Sequence, residues 1–317
     1  MIIKDKLGRQ FKTLRLSLTS RCNFACNYCV PENKTVKMSP ICKAGLSYEE
    51  LAQEVLKIHK LVNLKNVRLT GGEPTLYKDL IPLIRLLKEM KIPKVTITTN
   101  GHSLERLIGN LVLSGIDAIN ISLDAIDATT FKKLSRRNSL EKVLRGIEKT
   151  LEYDIPVKIN STIMKGQNDD QIIPLLDYAL ERNATIRFLE LMQMGHLYQN
   201  HNQYFFSEEE ILDKIAKKYN FEKTEKPISS TANYWNIETI NNKENKFGII
   251  ANHSSPFCGD CDRLRLDENG KIYGCLSVNK GFRIKENNLP QILPQALAQK
   301  QSKHFHGSEL SMQAIGG

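Results

Sequence analysis

Residues 13–29, TLRLSLTSRCNFACNYC, run from a strand-like segment directly into three cysteines, Cys22, Cys26 and Cys29. Three thiolates within eight residues, on a loop that leaves a strand, can face one point. A closed tetrahedral zinc site needs four ligands, whereas a four-iron cluster held by three cysteines leaves one iron open to a substrate. The spacing therefore predicts either an open iron–sulfur cluster or a zinc ion completed by a distant histidine, such as His59 or His102.

The turn Gly71-Gly72-Glu73-Pro74, at the end of the next strand-like run, favours the open cluster. Paired glycines let backbone groups approach a small ligand closely. The Glu73 carboxylate could bind an ammonium group of that ligand.

Strand-like and helix-like segments alternate from this region to about residue 205. Apolar runs predict strands at 13–18, 66–70, 94–99, 118–123, 157–164 and 185–191. Helical spacing predicts helices at 46–61, 78–90, 103–115, 139–153 and 169–183. Six strands that alternate with helices are typical of an α/β fold, here an incomplete TIM-like (βα)6 barrel of parallel strands. The strand C-terminal ends then share one rim, where we expect the chemistry.

A second triplet, Cys258, Cys261 and Cys275, follows in the region where the alternation has failed. Its spacing alone would indicate half of a zinc ribbon. In an extended segment Arg263 and Arg265 share one face, where their guanidinium groups could bind phosphate or a purine edge. The alternative is a surface β-hairpin with DENG (267–270) as its turn.

The chain carries 45 Lys and Arg against 35 Asp and Glu, a net charge of +10 that favours anionic partners. Strand parity points four cations into the barrel: Arg15, Arg68, Lys158 and Arg187. An unpaired buried charge costs several kcal/mol. Four such cations together therefore indicate a polyanionic ligand. The densest basic stretch, KKLSRRNSLEKVLRG (132–146), is interpreted as a solvated helix face rather than a nucleic-acid patch.

Composition and cysteine usage exclude several classes of protein. Seven cysteines in tight local groups do not form a disulfide framework, and Cys42 is interpreted as a small apolar side chain. No apolar run approaches the roughly 18 residues of a membrane helix, and the first residues lack the apolar core of a signal peptide. We expect a cytoplasmic enzyme with a barrel domain at 1–220 and a C-terminal domain at 221–317.

The signature CNFACNYC (22–29) resembles that of the radical S-adenosylmethionine (SAM) superfamily. From about residue 8 to the end, the chain more closely resembles the GTP 3′,8-cyclase family, also called the molybdenum cofactor biosynthesis protein A family. The motifs that carry this resemblance fall in the family's order: LRLSLTSRCNFACNYCVP, VRLTGGEP, TTNG, ISLDA, KGQNDDQI, IRFLELMQMG, FCGDCDRLRLDENGKIYGCL and the closing IGG.

The resemblance implies SAM and two [4Fe-4S] clusters as cofactors, with a C-terminal α+β extension that carries the second cluster. It implies SAM contacts at Tyr28, Gly72, Ser122 and Met192, beside Glu73. It implies GTP contacts at Arg15, Arg68, Thr99, Lys158, Arg187, Arg263, Leu264 and Arg265. It also implies that Arg263 and Arg265 act in catalysis, and that the terminal Gly316 and Gly317 enter the active site.

The implied reaction is radical cyclisation of GTP to (8S)-3′,8-cyclo-7,8-dihydroguanosine 5′-triphosphate, the first step of molybdenum cofactor biosynthesis. The implied partners are an electron donor and a cyclic pyranopterin monophosphate synthase that takes the product, with the enzyme a monomer or homodimer and no membrane involved. Two alternatives remain open: a peptide-modifying radical SAM enzyme with an auxiliary cluster, and a zinc- or cluster-bearing nucleic-acid-binding protein. The latter would need aromatic stacking platforms, but the chain has one Trp and scattered Tyr.

Overall fold

A computed structural model describes residues 3–31, 45–226, 230–238, 245–285, 287–301 and 303–315. Its strands are β1 (Thr13–Ser17), β2 (Asn66–Thr70), β3 (Val95–Thr99), β4 (Ala118–Ser122), β5 (Val157–Ile163), β6 (Thr185–Glu190), β7 (Phe221–Lys223), β8 (Asn233–Ile237), β9 (Asn245–Ile250), β10 (Arg263–Leu266), β11 (Lys271–Tyr273) and β12 (Phe282–Arg283). Its helices are α1 (Tyr48–Val62), α2 (Leu80–Glu89), α3 (Leu104–Leu113), α4 (Ala128–Ser135), α5 (Leu140–Leu151), α6 (Ile172–Glu181), α7 (His201–Tyr204), α8 (Glu208–Ala216), α9 (Leu289–Ala298) and α10 (Met312–Ile315).

The six predicted strands and the helices between them form a partial barrel, which confirms the predicted fold class. Strands β1 to β6 lie side by side in chain order and every neighbouring pair is parallel. Helices α1 to α6 and α8 each bury an apolar stripe, as Leu51, Val55 and Ile58 do in α1. Polar residues at the carboxyl ends of the strands therefore share one rim.

The C-terminal strands extend this sheet at both of its edges. The order of the strands is β12-β11-β10-β1-β2-β3-β4-β5-β6-β9-β8-β7. Strand β10 pairs in parallel with β1, and β9 pairs in parallel with β6. The hairpin predicted around 267–270 is present as β10 and β11, but its predicted place on the surface is wrong. Because β10 also pairs with β1, Leu264 and Leu266 are completely buried.

Two local features of the helices differ from the simplest sequence prediction. The stretch 132–146, interpreted as one helix face, is divided between α4 and α5 by a break at 136–139. Helix α4 begins earlier than that stretch, after Asp127, whose side chain accepts a hydrogen bond from the Thr130 amide at 2.9 Å. The predicted helix at 169–183 opens as a 3-10 turn at Asp169–Gln171, and α6 then begins at Ile172. Pro174 lies in the first turn of α6, where its missing N–H has no intrahelical partner to lose.

Within the described part of the chain, none of the helices is both long enough and apolar enough to span a bilayer.

Candidate active site

The two cysteine triplets line the same cavity, which has a volume of about 280 Å³ and opens at the carboxyl ends of the barrel strands. All six cysteines are free thiols and half-buried. The rim residues predicted from the sequence also line it: Tyr28, Gly72, Glu73, Thr99, Ser122 and Met192. Sequence positions that are more than 200 residues apart therefore meet in one site.

The loop that carries the first triplet is tightly wound and packs against the Gly-Gly turn. The Cys29 and Val30 amides both donate to the Cys26 carbonyl, at 2.8 and 2.9 Å. A Cβ atom on Gly72 would lie 2.3 Å from the Arg21 carbonyl oxygen, so only glycine fits beside this loop. The Gly-Gly turn is thus fitted to the cysteine loop.

Burial makes the thiols of the first triplet hard to ionise. It raises the pKa of Cys22 to about 11 and that of Cys29 to about 12. A cationic metal centre that takes these sulfurs as thiolates would compensate for their lost hydration. In an iron–sulfur cluster each cysteine sulfur binds a different iron, so the three sulfurs need not meet at one point. A loop with three thiols and no fourth ligand is therefore compatible with such a cluster.

Glu73 is buried, and its carboxylate holds the turn and the next strand together. Its Oε1 accepts hydrogen bonds from the Thr75 amide and hydroxyl and from the Thr99 hydroxyl, the latter two at 2.6 Å. Its Oε2 accepts from the Asn100 amide at 2.8 Å. Oε1 is saturated by these protein donors, whereas Oε2 keeps a lone pair. Binding of a ligand ammonium by Glu73 stays a prediction.

The second triplet is held by residues from both ends of the chain. Arg9 donates to the Cys258 carbonyl and, at 2.8 Å, to the Gln301 carbonyl. Lys300 donates to Cys261 Sγ at 2.8 Å and to the Arg263 carbonyl at 2.7 Å. Burial raises the pKa of Cys261, but Arg263 and Lys300 outweigh it and lower the pKa to about 6. The Cys261 thiol therefore ionises to a thiolate more readily than an ordinary cysteine.

The β-sheet register places three arginines in one row. Arg265, Arg15 and Arg68 are direct partners on β10, β1 and β2, and all three line the cavity. Burial and the neighbouring guanidinium groups lower the pKa of Arg15 well below its usual value. Burial, followed by nearby cations, lowers the pKa of both Arg68 and Arg265 to about 10. Such a row is suited to an anionic ligand because each added negative charge relieves repulsion among the cations.

A second cationic group faces the row from β5 and β6. Arg187 donates to Asn160 Oδ1 at 2.9 Å and to Asn120 Oδ1 at 2.7 Å, which fixes its guanidinium group. Lys158 does not line the cavity itself, but its Nζ donates to the Tyr234 hydroxyl at 3.3 Å. In the described part of the chain, no ion pair includes Arg15, Arg68, Lys158, Arg187 or Arg263.

Several sequence-predicted residues lie apart from the cavity wall or outside the described residues. The Leu264 side chain is buried on the other face of β10, so a contact with GTP would run through its backbone. Cys42, Gly316 and Gly317 lie outside the described residues. Met312 and Gln313, shortly before the terminal glycines, do line the cavity.

The zinc interpretation finds no support among the described residues. No three of their His, Cys, Asp or Glu side chains converge as they would around a single metal ion. Neither His59 nor His102, the suggested fourth ligands, lines the cavity.

Sequence reasoning missed Lys300 and Tyr234, which hold parts of the site in place. Lys300 follows α9 in a stretch without a motif, and its proximity to Cys261 depends on how α9 packs. Burial raises the pKa of Tyr234, but Arg187 and Lys158 outweigh it and lower the pKa. A Cβ atom on Gly248 would lie 2.9 Å from the Tyr234 ring, so this glycine makes room for the tyrosine.

Replacement of Lys300 by methionine is expected to lower, by about 50 mV, the midpoint potential of an iron–sulfur cluster bound at the second triplet. The cationic donor to Cys261 would stabilise the more negative, reduced state of such a cluster, and its loss would remove that preference. The measurement is an EPR-monitored redox titration in a Cys26→Ala background, so that only the C-terminal triplet binds a cluster. Lys300→Arg, which keeps a charged donor, should restore the potential, and an unchanged potential in Lys300→Met would contradict the role.

Comparison with known proteins agrees with this geometry. The radical SAM superfamily model matches residues 16–179, and the Molybdenum Cofactor Synthesis C model matches residues 184–306. GTP 3′,8-cyclase of Synechocystis sp. is 34% identical over 281 residues, which are 89% of this chain and 84% of that protein. GTP 3′,8-cyclase of Staphylococcus carnosus is 37% identical over 297 residues, 90% of this chain and 84% of that protein.

Among solved structures, Streptococcus suis SuiB bound to S-adenosylmethionine aligns with a TM-score of 0.61 and 19% identity over 89% of this chain. The chain spans 63% of that longer structure, and at this identity the likeness shows the fold alone. The sequence identity to the curated relatives decides the family. The chain belongs to the GTP 3′,8-cyclase family of the radical SAM superfamily.

Proposed function

We propose that this chain is a radical SAM enzyme that converts GTP to (8S)-3′,8-cyclo-7,8-dihydroguanosine 5′-triphosphate, the first step of molybdenum cofactor biosynthesis. The observation that carries the proposal is that both cysteine triplets and five arginines line one cavity; the arginines are Arg15, Arg68, Arg187, Arg263 and Arg265. A triphosphate is the kind of polyanion that such converging guanidinium groups bind.

The cysteines divide into two sets with different tasks in this proposal. Cys22, Cys26 and Cys29 hold one [4Fe-4S] cluster, and Cys258, Cys261 and Cys275 hold the other. The first cluster, when bound, supplies the electron that cleaves SAM and so generates the 5′-deoxyadenosyl radical. The residues that bind SAM lie on the cavity wall: Tyr28, Gly72, Glu73, Ser122 and Met192.

The basic residues position GTP between the two triplets. Arg15, Arg68, Lys158 and Arg187 take the triphosphate and ribose, with Thr99 as a further contact, and Arg263 and Arg265 orient the guanine. Leu264 contributes through its backbone. Such positioning keeps C3′ of the ribose close to C8 of the base, and a misplacement near 1 Å can cost about 100-fold in rate.

The remainder of the wall excludes water from the site. Apolar side chains line the cavity between the two triplets: Phe24, Leu134, Leu189, Ile250 and Phe257. A dry wall protects a reactive radical from side reactions. Met312 and Gln313 also line the cavity, and the proposal assigns the terminal Gly316 and Gly317, which follow them in the sequence, to the same site.

The wider context of the reaction belongs to the same proposal. The barrel domain spans 1–220, the C-terminal domain spans 221–317, and the enzyme works in the cytoplasm as a monomer or homodimer. An electron donor reduces it, and a cyclic pyranopterin monophosphate synthase takes the product.

Anaerobic incubation with GTP, SAM and dithionite is expected to yield 5′-deoxyadenosine and cyclised nucleotide in equal amounts. ATP in place of GTP should give neither product, because it lacks the guanine edge that Arg263 and Arg265 orient. Reconstituted protein should contain about eight irons with sulfide per chain, as two four-iron clusters require. Chromatography of the nucleosides and iron and sulfide analysis are the measurements.

Zinc without sulfide, or deoxyadenosine formed equally with ATP, would overturn the proposal. Deoxyadenosine formed only when a peptide is added would favour the peptide-modifying alternative instead.

A further inference from the structure

A basic patch lies on the outer side of the cysteine loop. It consists of Lys132, Lys133, Arg136, Arg137 and Lys142, all of which are exposed except the half-buried Arg136. Within the described residues, no ion pair neutralises any of these five cations. The predicted solvated face is present at these five cations, but α4, α5 and the residues between them carry it rather than one helix. It concentrates positive charge that the sequence prediction does not explain.

The patch is attached to the cysteine loop by hydrogen bonds. Arg136 donates to the Val30 and Pro31 carbonyls at 2.9 and 3.0 Å, and Arg137 Nε donates to the Asn23 carbonyl at 2.6 Å. Arg136 caps α4 with φ 54°, a left-handed conformation that is costly for a residue with a side chain. The last carbonyls of α4 also accept hydrogen bonds from the Ala25 and Asn27 amides, at 3.1 and 2.9 Å.

These contacts join two members of the patch, Arg136 and Arg137, to residues next in sequence to two of the thiols. Asn23 follows Cys22, and Val30 follows Cys29, while both cysteines line the cavity. The same loop therefore supplies thiols to the cavity and backbone carbonyls to the patch. Electron tunnelling falls steeply with distance, and a carrier bound at the patch would lie against the loop that carries the first triplet.

We propose that the basic patch is the docking surface for an acidic protein that carries single electrons at low potential. The inference rests on the proposed function, because each cleavage of SAM consumes one electron that must enter from outside. The carrier is oxidised by one electron, and the centre held by the first triplet is reduced by one. Positive charge at the entry point steers an acidic partner and orients it toward the loop.

The chemistry of the patch favours a protein over a nucleic acid. Proteins that bind single-stranded nucleic acid combine cations with exposed aromatic rings on which bases stack. Between residues 128 and 146 the sequence has one aromatic residue, Phe131, and it is buried against Phe24. The patch therefore offers charge without a stacking surface.

The test compares two charge-reversal pairs in the cluster-loaded enzyme. The patch pair is Lys132→Glu/Lys133→Glu. The control pair, Lys65→Glu/Lys94→Glu, makes the same change in net charge outside the patch. Lys65 and Lys94 are exposed and precede β2 and β3, so they lie at the opposite end of the barrel. None of the four side chains belongs to the cavity wall.

Deoxyadenosine formation is measured with three reductants: dithionite, a reduced acidic flavodoxin and a reduced acidic ferredoxin. With at least one carrier, the patch pair should lower kcat/KM for the carrier about 10-fold at low salt. The control pair should change it less than about 2-fold, and 0.5 M salt should remove most of the difference. Dithionite-driven turnover, which tests the proposed function itself, should be the same for both pairs.

Carrier binding to the oxidised enzyme, measured by calorimetry, gives a second readout that does not depend on turnover. Equal carrier affinity for both pairs, or failure of both carriers to reduce the wild-type enzyme, would overturn the proposal. The proposal would also be overturned if only the patch pair lost binding to a single-stranded RNA while its carrier kinetics stayed unchanged. That result would assign the patch to nucleic acid.

Discussion

Replacement of Arg263 by alanine is expected to lower cyclisation of GTP by about 10² to 10³-fold while the iron content stays at its wild-type value. Arg263 lines the cavity, places its guanidinium group 4.6 Å from the centre of the Phe257 ring, and interacts electrostatically with both Cys261 and Arg15. Its loss removes one of the two β10 arginines that orient the guanine and leaves Arg265 alone on that strand. The measurement is the rate of product formation under anaerobic conditions, alongside deoxyadenosine and iron.

The ratio of the two products makes this result specific. Deoxyadenosine that persists while cyclised nucleotide disappears would place the defect at GTP rather than at SAM. Arg263→Lys keeps a charge near Cys261 and controls for loss of the second centre. Arg283→Ala removes an exposed arginine from β12 of the same sheet and should have no effect. Product formation by Arg263→Ala within about 2-fold of wild type would remove this residue from the site.

Replacement of Arg15 by methionine is expected to stabilise the protein and weaken GTP binding at the same time. Arg15 is half-buried, but its Nε is fully buried and has no hydrogen-bond partner among the described residues. The pKa of its side chain is lowered by burial and by three nearby arginines. Replacement of this cation by an apolar side chain of similar length removes the repulsion and the unsatisfied Nε, and should raise Tm by about 3 °C or more. Loss of one charge-assisted contact should weaken GTP binding about 30-fold.

Calorimetric titration with GTP in the absence of SAM measures binding without turnover, and a thermal melt measures stability. Wild-type protein should also gain more stability from GTP than Arg15→Met does, because ligand stabilisation follows affinity. Lys65→Met, an exposed substitution at the opposite end of the barrel, should change neither quantity. A lower Tm with unchanged GTP affinity would show that Arg15 serves the fold instead.

The features that sequence could predict are those encoded by local spacing. Both triplets, the Gly-Gly turn and the apolar strands lie in short contiguous motifs, and the inward direction of Arg15 and Arg68 follows from strand parity. Parity could not reveal that Arg265 completes their row, because that depends on β10 pairing with β1 across about 250 residues. Lys300 and Tyr234 reach the site only through packing, and neither lies in a motif.

Helix α4 shows a different limit of sequence reasoning. Its eight residues offer little room for an apolar period, and its end at Arg136 uses a left-handed arginine where glycine or asparagine is the usual signal. Its carbonyls hold the cysteine loop, which is a tertiary role that no local propensity encodes.

The pairing of β10 with β1 has a consequence for how this protein is made. During translation the barrel strands leave the ribosome first, and N-terminal regions generally begin to fold before synthesis ends. Until residues 263–266 emerge, the nascent β1 lacks its second neighbour and presents an open edge. The first cysteine triplet can therefore bind iron before the arginines of β10 complete the proposed GTP site. Until then the nascent chain exposes an unpaired strand edge, which favours aggregation.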